Sequence, residues 1–426
     1  MLCDYLTLQR FCDRINVLFY RRFDTMADLF EKCKNFTKAK DLIEADIYPY
    51  FHCLQTKQDT EVYMEGIHEY MLGSNNYLGL TSHPEVMQAS IDAINKYGTG
   101  CSGSRFLNGT LDLHLELEKQ IAEFLGKEDC MTFSTGFQSN LGIISAIAAH
   151  GDYIIGDKEN HASIYDGCRL SYAKLLRYNH SDMEDLERVL ASIPLDAGKL
   201  IVTDGVFSMG GDICKLPDIV RLAEKYKARI MIDDAHGLGV IGEGGRGTAS
   251  YFGLTDKVDI LMSTFSKSLA SLGGYMCASK EVVNYVRHSS RPFIFSASMP
   301  PANIAAALKA LEILKREPER PKKLMALADY YRAGLKKRGI DYRESQAPVV
   351  PINTYTDEDT FAICKKLFEN GVYVNPVVSP AVAPGDCIIR SSLMATLTEE
   401  QLDKAMDIIK NTLDEYWSEH KKPEGK

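Results

Sequence analysis

Short apolar runs alternate with helix-period stretches over most of this chain. From Gly73 onward, β-rich runs at 130–133, 153–155, 200–202, 230–232 and 260–262 are separated by segments of helical period such as 183–190 and 219–226. That alternation predicts an α/β fold with a mainly parallel sheet. Ahead of it, residues 61–64, a Glu65-Gly66 turn and residues 69–72 predict a short hairpin. A helical arm opening at Met26 precedes the hairpin, its apolar stripe running through Phe30, Cys33, Phe36 and Ala39.

The pattern changes again near Pro300-Pro301, which introduce an alanine-rich helix at 302–315 before Pro318 and Pro321 punctuate a charged stretch. Beyond them, helices at 324–337, 360–370 and 399–416 and extended runs at 349–354 and 387–390 read as a compact α+β domain. The expected division is an arm and hairpin at 1–73, a large domain at 74–310 and a small domain at 311–426. In the first 25 residues, Arg10, Arg14, Arg21 and Arg22 are interleaved with apolar residues, and Asp4, Asp13 and Asp24 break any signal or transit pattern. Met26 as the natural start, a genuine extra arm and a membrane-surface helix are the three readings of that segment.

Composition removes several classes of function. A formal charge of -9 argues against a nucleic-acid surface. The eleven cysteines include no C-x-x-C pair, so neither a zinc site nor a disulfide framework is expected, and free thiols in a reducing cytoplasm fit best. No apolar stretch approaches the roughly 20 residues of a membrane span. A soluble protein is expected, with peripheral membrane contact left open.

In open α/β sheets ligands bind beyond the carboxyl ends of strands, and here those ends carry Ser134-Thr135-Gly136, His161, Ser208, Asp233 and Lys267. Lys267 stands among Ser263, Thr264, Ser266 and Ser268, with Gly273-Gly274 close behind. Alone, it would be a solvated loop lysine. Asp233 and Asp234 follow an apolar run and would ordinarily serve a cap or turn. A lysine that forms a Schiff base and an acid that holds a pyridinium nitrogen are, taken together, what a pyridoxal 5'-phosphate enzyme needs. His236 would then stand near the ring hydroxyl, and the flat ring of His161 could stack on the cofactor. Gly136 and Phe137 introduce an apolar helix whose N-terminal amides suit a phosphate. Arg390, in the small domain, has the planar fork for an amino-acid carboxylate. Residues 242–247 match G-x-G-x-x-G but open no long helix, so they read as a tight turn beside the site and not as a dinucleotide site.

Over residues 45–415 the chain resembles the α-oxoamine synthase family of fold-type I pyridoxal phosphate enzymes. The resemblance rests on Asn75-Asn76-Tyr77-Leu78-Gly79-Leu80, Gly98-Thr99-Gly100-Cys101-Ser102-Gly103-Ser104-Arg105, Leu107-Asn108-Gly109-Thr110, Asn160-His161-Ala162-Ser163, Asp204-Gly205-Val206-Phe207-Ser208-Met209, Asp233-Asp234-Ala235-His236-Gly237 and Thr264-Phe265-Ser266-Lys267. It implies Lys267 as the Schiff-base lysine, Asp233 on the pyridine nitrogen, His236 and Ser208 near the ring hydroxyl, and His161 on the ring face. Gly136, Phe137 and Thr264 would serve the phosphate, joined by Ser296 of a neighbouring subunit in a homodimer with shared active sites. Asn76 and Arg390 would meet the amino acid. Within the family, residues 161–167 and 290–298 are most like the bacterial members that condense L-serine with palmitoyl-CoA to 3-ketodihydrosphingosine. Residues 76–80 and 209–212 resemble as much the members that join alanine to a pimeloyl thioester, and a glycine and acetyl-CoA pairing is a further alternative. The presence of Lys267 counts against a noncatalytic subunit.

Overall fold

The computed structural model describes residues 28–423. The chain divides into two compact units, Met1–Tyr50 and Phe51–Lys426. In the first, the described residues form two short helices, Glu31–Lys34 and Lys38–Glu44. The single amphipathic helix expected there is interrupted at Asn35–Thr37, where the Thr37 hydroxyl bonds the Asp41 carboxylate at 2.9 Å. The three readings of residues 1–25 lie outside the described residues.

The second unit opens with the expected hairpin, β1 (Glu61–Met64) and β2 (Ile67–Met71). Its two-residue turn places Glu65 and Gly66 at positive φ, 52° and 84°, the geometry that matches strand twist in a tight hairpin. Next come the seven strands of the main sheet: β3 (Asp129–Phe133), β4 (Tyr153–Asp157), β5 (Lys174–Tyr178), β6 (Lys199–Asp204), β7 (Arg229–Asp233), β8 (Ile260–Thr264) and β9 (Gly274–Ala278). Their spatial order is β3-β9-β8-β7-β6-β4-β5, and only β9 runs against its neighbours. Every predicted run falls inside one of these strands. The interior strands β6 and β8 are buried along their whole length, as parallel strands covered by helices on both faces must be.

Two strands of this sheet had no predicted counterpart. β5 is an edge, and its exposed Lys174 and Arg177 are the charged residues that edges carry against unwanted pairing. β9 is wholly buried, but Gly274, Met276, Cys277 and Ala278 give it a weak strand signature. The remaining strands are β10 (Val349–Tyr355), β11 (Val372–Tyr373), β12 (Asn375–Val377) and β13 (Cys387–Ser392). β10, β13 and β12 form an antiparallel sheet with β13 central, whereas β11 adds in parallel to β2. A separate apolar core joins Val62, Met64 and Met71 of the hairpin to Leu324, Tyr331, Ile389 and Ile409. The hairpin therefore packs with the C-terminal elements. The fold class is the expected one, a large mainly parallel sheet plus a smaller α+β part.

One group in the smaller part is chemically out of place. Glu69 of β2 is fully buried, and neither carboxyl oxygen has a hydrogen-bond partner. Burial pushes its carboxyl up from an ordinary 4.5 to about 8. Between those values the folded chain holds the proton and the unfolded chain does not, so Glu69 makes stability fall as pH rises from 4.5 to 8. We expect Glu69→Gln to flatten that slope, measured as thermal midpoint against pH, with little effect at pH 4.5.

Candidate active site

Five chain segments reach one cavity of about 260 Å³ at the carboxyl ends of β3, β4, β6, β7 and β8. Its lining includes Gly136, Phe137, His161, Ser208, Asp233, His236, Thr264 and Lys267. The fold thus brings eight of the sequence-predicted residues to one place. Each comes from the loop that follows a strand, or from its last residue, which is why their side chains converge although they span more than a hundred positions.

Thr135 caps the helix Gly136–Ile147 by accepting from the Gln138 amide at 3.0 Å, which leaves the Gly136 and Phe137 amides at the cavity. A Cβ at Gly136 would come within 2.6 Å of the Thr264 side chain, so glycine is required where β8 and this helix start meet. Asp233 accepts from the Ala235 amide at 3.0 Å and from Asn140 Nδ2 at 2.7 Å. Its neighbour Asp234 turns the other way and accepts from the Thr248 hydroxyl and amide at 2.6 and 2.7 Å. Burial still raises the Asp234 carboxyl to about 6. The glycine-rich turn at 242–247 gains its explanation here, because a Cβ at Gly247 would lie 1.8 Å from Asp234 Oδ2.

The Lys267 amine lies 2.6 Å from His236 Nε2, and His236 Nδ1 lies 2.7 Å from the Tyr77 hydroxyl. Tyr77 in turn accepts from Arg390 Nη2 at 3.3 Å, and that nitrogen also donates to Asn75 Oδ1 at 3.1 Å. Arg390, on β13, is buried and donates through Nε to the Ser208 carbonyl at 2.5 Å. Burial pulls the Lys267 amine down from 10.5 to about 8, aided by Arg390 and opposed by Asp233. The same desolvation, with Lys267 and Arg390 nearby, holds His236 well below its usual range and therefore neutral. Asp204, the register partner of Asp233, is pushed well above the carboxylate range by burial and by Asp233 itself.

Three predicted residues stand elsewhere. The Asn76 side chain faces its own turn, accepting from the Leu80 and Thr81 amides at 3.1 and 3.3 Å, and Asn75 is the residue that touches Arg390. A one-position difference in a paired Asn-Asn carries no sequence signal. Arg390 meets the cavity wall through Ser208 without lining it. Ser296 borders a small void with Arg105 and Ser298, outside the cavity of its own chain. Sequence reasoning missed Tyr77, Asn140, Ser163 and Asp204 as site residues. Asn140 lies one helical turn beyond Gly136, a spacing that could have drawn it to the same face.

Comparison with known proteins fits this geometry. The profile of the family described as aminotransferase class I and II matches residues 68–409. A serine palmitoyltransferase of Sphingobacterium spiritivorum is 52% identical over 379 residues, covering 89% of this chain and 95% of that protein. The chain belongs to the aminotransferase class I and II family, in its α-oxoamine synthase branch. An 8-amino-7-oxononanoate synthase of Thermoanaerobacter pseudethanolicus from the same branch is 42% identical, with 87% of this chain and 94% of that protein covered. Among solved structures, a Sphingomonas wittichii serine palmitoyltransferase matches with a TM-score of 0.89 at 35% identity, over 92% of this chain and 100% of that one.

The donor set suits the cofactor of this branch. Helix-start amides with a threonine hydroxyl suit a dianion, a buried carboxylate suits a protonated ring nitrogen, and an amine of lowered proton affinity lines the same cavity. Lys267 should therefore react with pyridoxal 5'-phosphate or another aldehyde at a rate that climbs through pH 8 and then levels. An ordinary lysine would keep climbing to about 10.5. The absorbance of the imine, followed against pH, measures that midpoint, and Asp233→Asn should move it lower because the opposing carboxylate charge is gone.

Proposed function

We propose that the chain is a pyridoxal phosphate-dependent serine palmitoyltransferase. It condenses L-serine with palmitoyl-CoA, releases CoA and carbon dioxide, and forms 3-ketodihydrosphingosine. The observation that carries this reading is the 52% identity with the Sphingobacterium enzyme over nearly its full length, against 42% with the oxononanoate synthase. Across the reaction a carbon–carbon bond joins serine Cα to the thioester carbonyl carbon. The bonds broken are Cα–H, the thioester C–S bond and the bond from Cα to the carboxylate; a new Cα–H bond takes the carboxylate's place and CoA leaves as its thiol, so one proton is taken up overall.

Pyridoxal phosphate, when bound, draws electron density away from the bonds at the amino-acid Cα and so eases their cleavage. Gly136, Phe137 and Thr264 would hold its phosphate, Asp233 its ring nitrogen, Ser208 and His236 its ring hydroxyl, and His161 its ring face. Lys267 would hold the cofactor through its amine and, when free, serve as the base for the Cα proton. A base near pH 8 is matched to that task, being partly unprotonated at neutrality yet strong enough to accept a proton. Arg390 clamps the substrate carboxylate. Its longer bonds to Tyr77 and Asn75 are the ones an incoming carboxylate would replace, while the bonds to Ser208 and Ser392 keep the guanidinium aimed.

We also read the protein as a homodimer with shared active sites, acting in a reducing compartment, the cytoplasm. Ser296 sits beside Phe295, which is 74% exposed, and Leu107 is 78% exposed; apolar side chains so open to water favour a covering surface. The described cysteines are all free thiols.

Incubation of the purified protein with serine, alanine or glycine and palmitoyl-, pimeloyl- or acetyl-CoA should yield, by mass, the serine and palmitoyl product above all others. Alanine with pimeloyl-CoA as the preferred pair would replace this reading by the oxononanoate synthase one. Lys267→Ala should lose borohydride-fixable cofactor and at least about 100-fold of the turnover rate, as loss of a general base requires.

A further inference from the structure

The wall of the cavity contains a second chain of hydrogen bonds whose donors and acceptors can be assigned one by one. Asn140 is wholly buried, and its Nδ2 lies 2.7 Å from Asp233 Oδ2 and 2.8 Å from Ser163 Oγ. Both Asp233 oxygens accept, one from Asn140 and one from the Ala235 amide. The reversed Asn140 amide would aim a carbonyl oxygen at that carboxylate, so the NH2 group faces Asp233 even though Asn140 Oδ1 is left without a partner. With one N–H on Asp233, the other reaches Ser163 Oγ, which therefore accepts. The Ser163 proton must go to its remaining neighbour, His161 Nδ1, at 2.7 Å. The Ser163 amide also points at the same nitrogen, at 3.3 Å. His161 Nδ1 thus accepts twice and carries no proton.

We propose that Asn140 and Ser163 are positioning residues that fix His161 as the tautomer protonated on Nε2. His161 then offers an N–H donor to the cavity, and the choice is locked to the orientation of Asp233 through a single amide. The proposal rests on the reading that His161 and Asp233 belong to the active site. It concerns the state of one ring, however, and holds or fails whichever substrates are turned over. The backbone of His161 is held as well, its amide donating to Asp204 Oδ2 at 3.0 Å, so the ring has little freedom to trade this arrangement for another. Removing the Ser163 hydroxyl leaves only the longer amide contact. Removing the Asn140 amide leaves Ser163 free to donate or accept, so only the longer amide contact still favours the Nε2–H tautomer.

The test is nitrogen NMR of the full chain labelled at its histidines, with and without pyridoxal phosphate, His161 being assigned by its loss in His161→Gln. The wild-type ring should show the shifts of an Nε2–H tautomer. Ser163→Ala and Asn140→Leu should each weaken that preference about tenfold, the scale of one lost buried hydrogen bond, and Ser163→Thr should retain it. A wild-type ring protonated on Nδ1 overturns the proposal without recourse to any variant. So does a Ser163→Ala ring indistinguishable from wild type. Failure of the substrate assay with the expected tautomer in place would instead overturn the reading of the reaction.

Discussion

Asp204 and Asp233 are register partners on adjacent parallel strands, both buried, and the site is arranged around the problem of keeping that pair in the interior. Two carboxylates side by side in a low-dielectric interior cannot both be charged cheaply. Asp204 yields, its carboxyl driven far up by burial and by Asp233. Asp233 is supported instead by two donors, the Ala235 and Asn140 N–H groups. The same desolvation that raises Asp204 lowers Lys267 and His236, so one physical effect shifts the carboxyl one way and the amine and imidazole the other.

Backbone geometry makes that enclosure feasible. β7 and β8 end side by side, and close approach is maintained by glycine where a side chain would intrude, at Gly136 against Thr264 and at Gly247 against Asp234. Asp234 is the structural counterpart of Asp233: adjacent in sequence, it points oppositely because strand residues alternate faces, and it ties the glycine-rich turn to the sheet. A motif that looks like a dinucleotide fingerprint is thus a buttress for the strand end that carries Asp233.

Much of this was legible in the sequence. The strands β3, β4, β6, β7 and β8 announce themselves as apolar runs, and each carries its site residue at or just past its end. β5 and β9 were illegible for opposite reasons, one being a charged edge and the other a core strand built from small and flexible residues. At the site, residues that would touch cofactor or substrate were readable because their chemistry is unusual after a strand. Tyr77 and Asn140 were not, since their contacts are with residues from distant segments, and a hydrogen bond across 23 or 159 positions leaves no local pattern. Asn75 and Asn76 show the limit at its finest, as identical side chains whose roles are divided by backbone direction alone.

The charged groups at the site also affect one another across the boundary between the two sheets. Arg390 belongs to the small sheet, yet its guanidinium is among the groups that depress the Lys267 amine, and it reaches His236 through Tyr77. A carboxylate bound to Arg390 offsets part of that positive field. On the proposed reading, the amine would become a stronger base with an amino acid in place, because the Coulombic penalty on its protonated form would be reduced. In the proposed reaction, substrate capture and base strength would be linked by this arrangement, because Arg390 and Lys267 lie within one buried field.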